Sequence, residues 1–84
     1  MKELPPLTDF QKAILWAAGR EPNRMASAWL IAQKAFPDRW EKRAARGALI
    51  GHIRRAAFKM PDMCCVLPPK GQHGDYTICL RHNT

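Results

Sequence analysis

The stretch from Asp38 to Lys59 constrains the fold more than any other part of the chain. It lies between Pro37 and Pro61 and reads DRWEKRAARGALIGHIRRAAFK. Proline interrupts a helix and disfavours the helical conformation in the residue before it, so the two prolines predict the ends of one long helix over this stretch. Asp38 is the expected N-cap, and Glu41 is expected to complete a capping box with it.

Half of the cationic side chains of the protein belong to this predicted helix. Seven of the 14 Lys and Arg lie here against two carboxylates, so the stretch carries +5 of the formal net charge of +7. On a helical wheel one stripe is basic and is made of Arg39, Lys42, Arg43, Arg46 and Arg54. The next stripe is apolar and is predicted to pack on the core; it is made of Ala45, Leu49, Ile53, Ala56 and Met60. Charge gathered on one element favours a nucleic-acid contact, although a solvated helix face explains it equally well.

Two further helices are predicted before the basic one. Thr8 and Gln11 form a capping-box pattern that predicts a first helix over 9–18, ending before Gly19. Apolar spacing predicts a second helix from the N-cap Asn23 to Phe36, with no strand between the two.

The three tryptophans are expected to serve the core. Trp16 and Trp29 lie on the apolar stripes of the first two predicted helices. Trp40 is interpreted as a cap on the core rather than as an exposed anchor for a protein partner.

In the last quarter of the chain the helical spacing of apolar residues ends, and the pattern predicts a β-hairpin over 61–81. Met63–Leu67 is short and apolar, and Tyr76–Arg81 alternates, with Tyr76, Ile78 and Leu80 on one face. The loop 68–75 between them is rich in Pro and Gly. Residues 1–7 are expected to form an extended arm and residues 82–84 a polar tail.

Composition excludes several classes of protein. A length of 84 residues predicts one domain, over 1–84, with a small core. No apolar run approaches the roughly 20 residues of a membrane span, and no secretory signal is recognisable, so we expect a cytoplasmic protein that does not contact membranes.

The residues predict neither an enzyme nor a metal centre. Three cysteines, of which Cys64 and Cys65 are adjacent, lack a C-x-x-C spacing, so reduced thiols that fill a small sheet are favoured over a disulfide or a zinc site. No phosphate-binding glycine loop and no nucleophile–base pair is recognisable. We therefore expect no cofactor and no catalytic residue.

The order of three helices and a hairpin, with the sequences FPDRWEKRAARGALIGHIRRA and PPKGQHGD, resembles the winged helix-turn-helix superfamily. The resemblance implies an α+β fold with a three-helix core over 8–60 and a C-terminal wing. It implies that the basic helix enters the major groove of DNA while the 68–75 wing lies on the backbone. The implied helix contacts are Arg39, Lys42, Arg43, Arg46 and Arg54, and the implied wing contacts are Lys70, Gln72 and His73.

The sequence thus predicts a protein that binds double-stranded DNA. A small transcriptional regulator or a DNA-site-recognition accessory factor fits, in the style of those carried by phages and mobile elements. The alternative is an inhibitor or adaptor module that applies the same basic face to an acidic protein. RNA binding is less favoured, since the strands offer no aromatic platform beyond Tyr76. The oligomeric state is left open.

Overall fold

Four helices and three short strands make up the part of the chain that the structure describes, residues 6–71 and 74–81 of a computed structural model. In chain order they are α1 (Asp9–Gly19), β1 (Met25–Ser27), α2 (Ala28–Ala35), α3 (Pro37–Trp40), α4 (Arg43–Phe58), β2 (Cys64–Leu67) and β3 (Thr77–Leu80). The α+β class is therefore confirmed. The predicted tail, most of the predicted arm, and Gln72 and His73 lie outside the described residues.

The three strands form one antiparallel sheet in the order β1-β3-β2. Both predicted hairpin strands are present. The first is shorter than expected by one residue at its start, and the second by one residue at each end. One face of the sheet packs on the helices, and it buries Ala26, Cys64, Ile78 and Leu80. The alternation predicted for the last strand is confirmed at Ile78 and Leu80, because both point into the core.

The core is filled by one face of each long helix together with the inner face of the sheet. Ile14 of α1, Ile31 of α2, Ile53 of α4 and Ile78 of β3 are all 0 % exposed. The apolar stripe predicted on the basic helix is confirmed: Leu49, Ile53, Ala56 and Met60 are buried, and Ala45 is half-buried. The first helix is also confirmed, including its capping box. The backbone N–H of Gln11 donates to the Thr8 hydroxyl at 3.2 Å, and the Gln11 side chain accepts from the Thr8 N–H at 2.9 Å.

The prediction of one helix from Asn23 to Phe36 is wrong at its start. Met25–Ser27 pairs with β3 as a strand, and α2 begins only at Ala28. Two local features accompany the start of the strand. The Asn23 side chain accepts from the Met25 N–H at 3.2 Å, a turn that competes with a helix, and Arg24 has φ 56°. The N-cap is Ser27, whose hydroxyl accepts from the Leu30 N–H at 3.0 Å.

The prediction of one continuous helix over 38–59 is also wrong. The chain breaks at Glu41 and Lys42, where Lys42 is extended with ψ 102°, and α4 begins at Arg43. Neither resulting helix has a side-chain cap, so the expected capping box of Asp38 and Glu41 is not formed.

Burial of Trp40 explains the break. Continuing α4 backwards would place Trp40 about 180° around the wheel from Leu49, on the solvent side. The break instead turns its ring inward, where it is 7 % exposed. Removing an indole from water stabilises the fold by about 4 kcal/mol, well above the loss of one or two helical hydrogen bonds. The predicted core-capping role of Trp40 is thus confirmed.

The other two tryptophans were assigned to the core wrongly. Trp16 is 48 % exposed and Trp29 is 47 % exposed. Trp29 packs edge-on against Trp40 with ring centroids 5.0 Å apart, and Arg20 lies 5.1 Å from the centre of the Trp16 ring. Small alanines take the inner positions of these helices instead. Within the described ranges, no helix has the length and apolar character needed to cross a bilayer.

Candidate nucleic-acid interface

The face of α4 that points away from the core combines small side chains with cations. Its middle carries only small side chains, and these are Ala44, Gly47, Ala48 and Gly51. A Cβ placed at Gly47 would meet no atom within 4 Å, so this part of the helix is open to solvent. Four cations accompany the strip: Arg43 and Arg54 lie along one edge, Lys42 lies just before the helix, and the Arg55 guanidinium lies over Gly51, where an added Cβ would be 3.5 Å from its Nη1. We call this surface the α4 face.

The first turn of α4 combines three sources of positive potential. Lys42 and Arg43 are exposed, no acidic residue lies in the turn, and no side chain caps its backbone N–H groups. The helix dipole adds a partial positive charge at the same end. An anion that approaches the start of α4 therefore meets two exposed cations and backbone N–H groups that no side chain caps.

Arg46 contacts Trp40, although the helical wheel placed it on the exposed basic stripe. Its Nε donates to the Trp40 carbonyl at 2.6 Å, and its guanidinium lies 4.5 Å from the centre of the Trp40 ring. The side chain is half-buried. Arg46 therefore joins α3 to α4 across the chain break and sits apart from the exposed strip, about 60° around the helix from Arg43.

Two more of the predicted contact arginines rest on aromatic rings. The Arg39 guanidinium lies 5.4 Å from the centre of the Phe36 ring, and that of Arg54 lies 4.8 Å from the Tyr76 ring. Arg39 is exposed and Arg54 is half-buried. An aromatic surface restricts a guanidinium without consuming its N–H donors, which leaves the donors available to an outside acceptor.

Because Arg39 lies on α3, it does not continue the stripe of α4 as predicted. The structure brings together Lys42, Arg43 and Arg54 around the α4 face, with Arg39 before the break. It adds one cation that the prediction left out, Arg55, which is exposed and whose Nη2 donates to His52 Nδ1 at 3.0 Å. The sequence signal for Arg55 was its position one helical turn after Gly51, which places both residues on the same face of the helix.

The hairpin is tied to both helices near the α4 face. The Asp75 carboxylate accepts from the Trp29 N–H at 2.6 Å and so caps α2 from 46 positions away in sequence. The Tyr76 carbonyl accepts from the Ala28 N–H at 2.9 Å, while the Tyr76 ring lies under Arg54. Lys70 is exposed in the loop beyond. These contacts fix the base of the loop relative to α2 and α4.

No carboxylate of the described residues forms a salt bridge with the cations of the α4 face. In the described part of the chain, the ion pair that forms joins Lys34 to Glu21 at 3.3 Å, and neither residue belongs to this surface. Asp38 and Glu41 are exposed without a salt bridge to the neighbouring cations. Among the described residues, no carboxylate therefore forms a direct ion pair with these cations. In residues 6–71 and 74–81, no group of three or more His, Cys, Asp or Glu is arranged to hold a metal ion.

Comparison with protein-family models, with curated proteins and with solved structures finds no match to this chain.

Proposed function

We propose that this protein binds double-stranded DNA through the α4 face, in a winged helix-turn-helix arrangement. In this arrangement α2, α3 and α4 form the helix-turn-helix unit, α4 enters the major groove, and the β2–β3 loop is a wing against the backbone. A small transcriptional regulator or a DNA-site-recognition accessory factor is the role that such a domain serves. One observation carries the proposal: cations lie on and beside a helix face of mostly small side chains, and no carboxylate of the described residues forms a salt bridge with them.

The shape of the α4 face supports insertion in a groove. The major groove is about 12 Å wide, close to the diameter of a helix with its side chains. Alanine and glycine along the centre of α4 reduce that diameter, so the backbone can approach the base edges. Arg43 then has the reach for a guanine edge, and the methyl groups of Ala44 and Ala48 suit thymine methyls.

The number of cations supports a sizeable electrostatic contribution. Six exposed or half-buried cations surround the face or extend from it, and they are Arg39, Lys42, Arg43, Arg54, Arg55 and Lys70. Six phosphate contacts give a slope of about −5 in a plot of log affinity against log salt concentration. Arg46 is assigned to positioning α4, and Gln72 and His73 stay predictions for the wing.

The strand β1, which was not predicted from the sequence, supports the winged helix-turn-helix arrangement. It adds a third strand between the first two helices, paired to the last strand. The capping of α2 by Asp75 then gives the hairpin a defined position beside the helical unit.

The test is a titration of labelled random-sequence duplex at several salt concentrations. The protein is expected to bind with a Kd of at most about 10 μM near 50 mM salt and to follow the steep slope above. The variant Lys42→Glu/Arg43→Glu is expected to bind at least about 100-fold more weakly, with a shallower slope, since two contacts become repulsive.

The matched control is Lys12→Glu on α1 combined with Arg20→Glu directly after it, which changes the net charge equally but leaves the α4 face intact. It is expected to weaken binding by less than about tenfold, through long-range potential alone. Equal losses in both variants would contradict the choice of face. No duplex binding at about 50 mM salt would favour the acidic protein partner instead.

A further inference from the structure

Three sulfur-bearing residues lie in one row across the outer face of the sheet. Met25 of β1 is the direct partner of Cys79 in β3, and Cys79 is the direct partner of Cys65 in β2. Residues that are directly opposite in a sheet project to the same side. The neighbouring rows, with Ile78 and Leu80, point into the core. The row of Met25, Cys79 and Cys65 therefore faces outward, and all three are half-buried.

Backbone hydrogen bonds give the spacing within this row. The Arg81 N–H donates to the Met63 carbonyl at 2.8 Å, so by alternation Cys65 and Cys79 form a hydrogen-bonded pair. The Leu80 N–H donates to the Arg24 carbonyl at 2.9 Å, so Met25 and Cys79 form the other, closer kind of pair. The flexible thioether of Met25 thus lies beside the first thiol, and the second thiol lies one strand further on.

This spacing favours a bridging ion over a direct bond between the sulfurs. In a hydrogen-bonded pair the two Cβ atoms lie about 5.5 Å apart, whereas a disulfide needs about 3.8 Å. The two thiols nonetheless influence each other. Burial raises the pKa of Cys79, and the charge of Cys65 together with the hydrogen bond that the Cys79 thiol donates to it raises the pKa further. Both cysteines are free.

We propose that Cys65, Cys79 and Met25 bind one soft monovalent metal ion of the Cu(I) class. The two thiols lose their protons to solvent, their sulfurs form the two strong bonds to the ion, and the Met25 sulfur is the third, weaker ligand. The oxidation state of the ion does not change. Thiolate and thioether sulfur together are the ligands that select Cu(I). Zinc is disfavoured here because it takes four ligands, and Cys64 projects to the opposite face.

The third cysteine supplies an internal control. Cys64 is 1 % exposed, and its thiol lies 3.5 Å from the carbonyls of both Ala57 and Met60. It fills the core next to Cys65 in sequence but takes no part in the row. If the ion bound to any cysteine of the chain, Cys64 would contribute as much as the others. In the proposed site Cys64 does not contribute.

The experiment is anaerobic titration of the reduced full-length chain with Ag(I), and with Cu(I) against a competing Cu(I) chelator. The expected result is one ion per chain, release of two protons per ion, and a thiolate-to-metal absorption band in the ultraviolet. Cys65→Ser and Cys79→Ser are each expected to lower the affinity by at least about 100-fold, since each removes a strong ligand. Met25→Leu is expected to lower it by about three- to tenfold.

The control Cys64→Ala is expected to bind like the parent chain, and thermal unfolding of each variant reports whether it is folded. Loss of binding in Cys64→Ala, binding of two or more ions per chain, or unchanged binding in a folded Cys79→Ser would each overturn the proposal. The proposal does not depend on DNA binding, so the two can fail separately.

Discussion

The two faces of α4 differ in burial and in the side chains that they carry. The inner face carries Leu49, Ile53 and Ala57, at most 3 % exposed and surrounded by the other helices and the sheet. The outer face carries Ala44, Gly47 and Ala48 beside exposed cations, with little in contact. One 16-residue helix therefore holds the fold together on one side and leaves the other free. Substitutions on the two faces should separate stability from binding.

The largest expected effect tests the inner face. Ile53→Ala deletes a side chain that is 0 % exposed, and the cavity left behind should lower the free energy of unfolding by about 2–5 kcal/mol. For a domain of this size that is an appreciable fraction of the total stability. Urea denaturation measures it. Phe58→Ala, on the same helix but 58 % exposed, should cost less than about 1 kcal/mol. Similar losses in both would contradict the distinction between the faces.

A smaller effect is expected at Arg46, which lies between the two faces. Arg46→Lys keeps the charge but loses the planar guanidinium over Trp40 and weakens the bond to its carbonyl. Stability should fall by about 1–2 kcal/mol, while duplex affinity of the folded protein should change by less than about threefold. Chemical denaturation and duplex titration measure the two quantities. A large loss of affinity with unchanged stability would return Arg46 to the contact set.

Loss of the long-range cap on α2 is expected to cost about 1 kcal/mol. Asp75→Ala removes the acceptor of the Trp29 N–H, at the base of the hairpin loop. Hydrogen exchange at the Trp29 amide should accelerate along with the fall in unfolding free energy. Asp62→Ala, an exposed carboxylate in the turn before β2, is the control and should leave that amide unchanged.

The smallest effect has the opposite sign and sharpens the description of the outer face. Gly47→Ala should raise the free energy of unfolding by about 0.5–1 kcal/mol, because alanine favours helix and its Cβ meets nothing within 4 Å. Gly74→Ala is the contrasting variant. Its Cβ would lie 2.8 Å from the Lys70 carbonyl oxygen, so it should destabilise the hairpin loop. Thermal unfolding of both variants should give shifts of opposite direction.

Sequence patterns located α1, the hairpin strands and the inner stripe of α4, since each depends on local capping or on regular apolar spacing. They failed at Met25–Ser27, where three residues of no strong strand preference pair with β3 across some 50 positions. They also failed at Glu41 and Lys42, where helix-favouring residues leave the helix so that Trp40 can be buried. In both places a tertiary contact outweighs local preference.

The sequence alone determined the concentration of positive charge near α4 and which residues of that helix face inward, because both follow from composition and period. The tertiary structure decided which cations remain outward. It turned Arg46 onto Trp40, placed Arg54 against the hairpin and separated Arg39 from the α4 stripe. It also aligned Met25, Cys79 and Cys65, which are far apart in the chain, across three strands. The physical reason is that strand register and helix breaks are set by burial between distant segments, and a linear pattern does not contain those contacts.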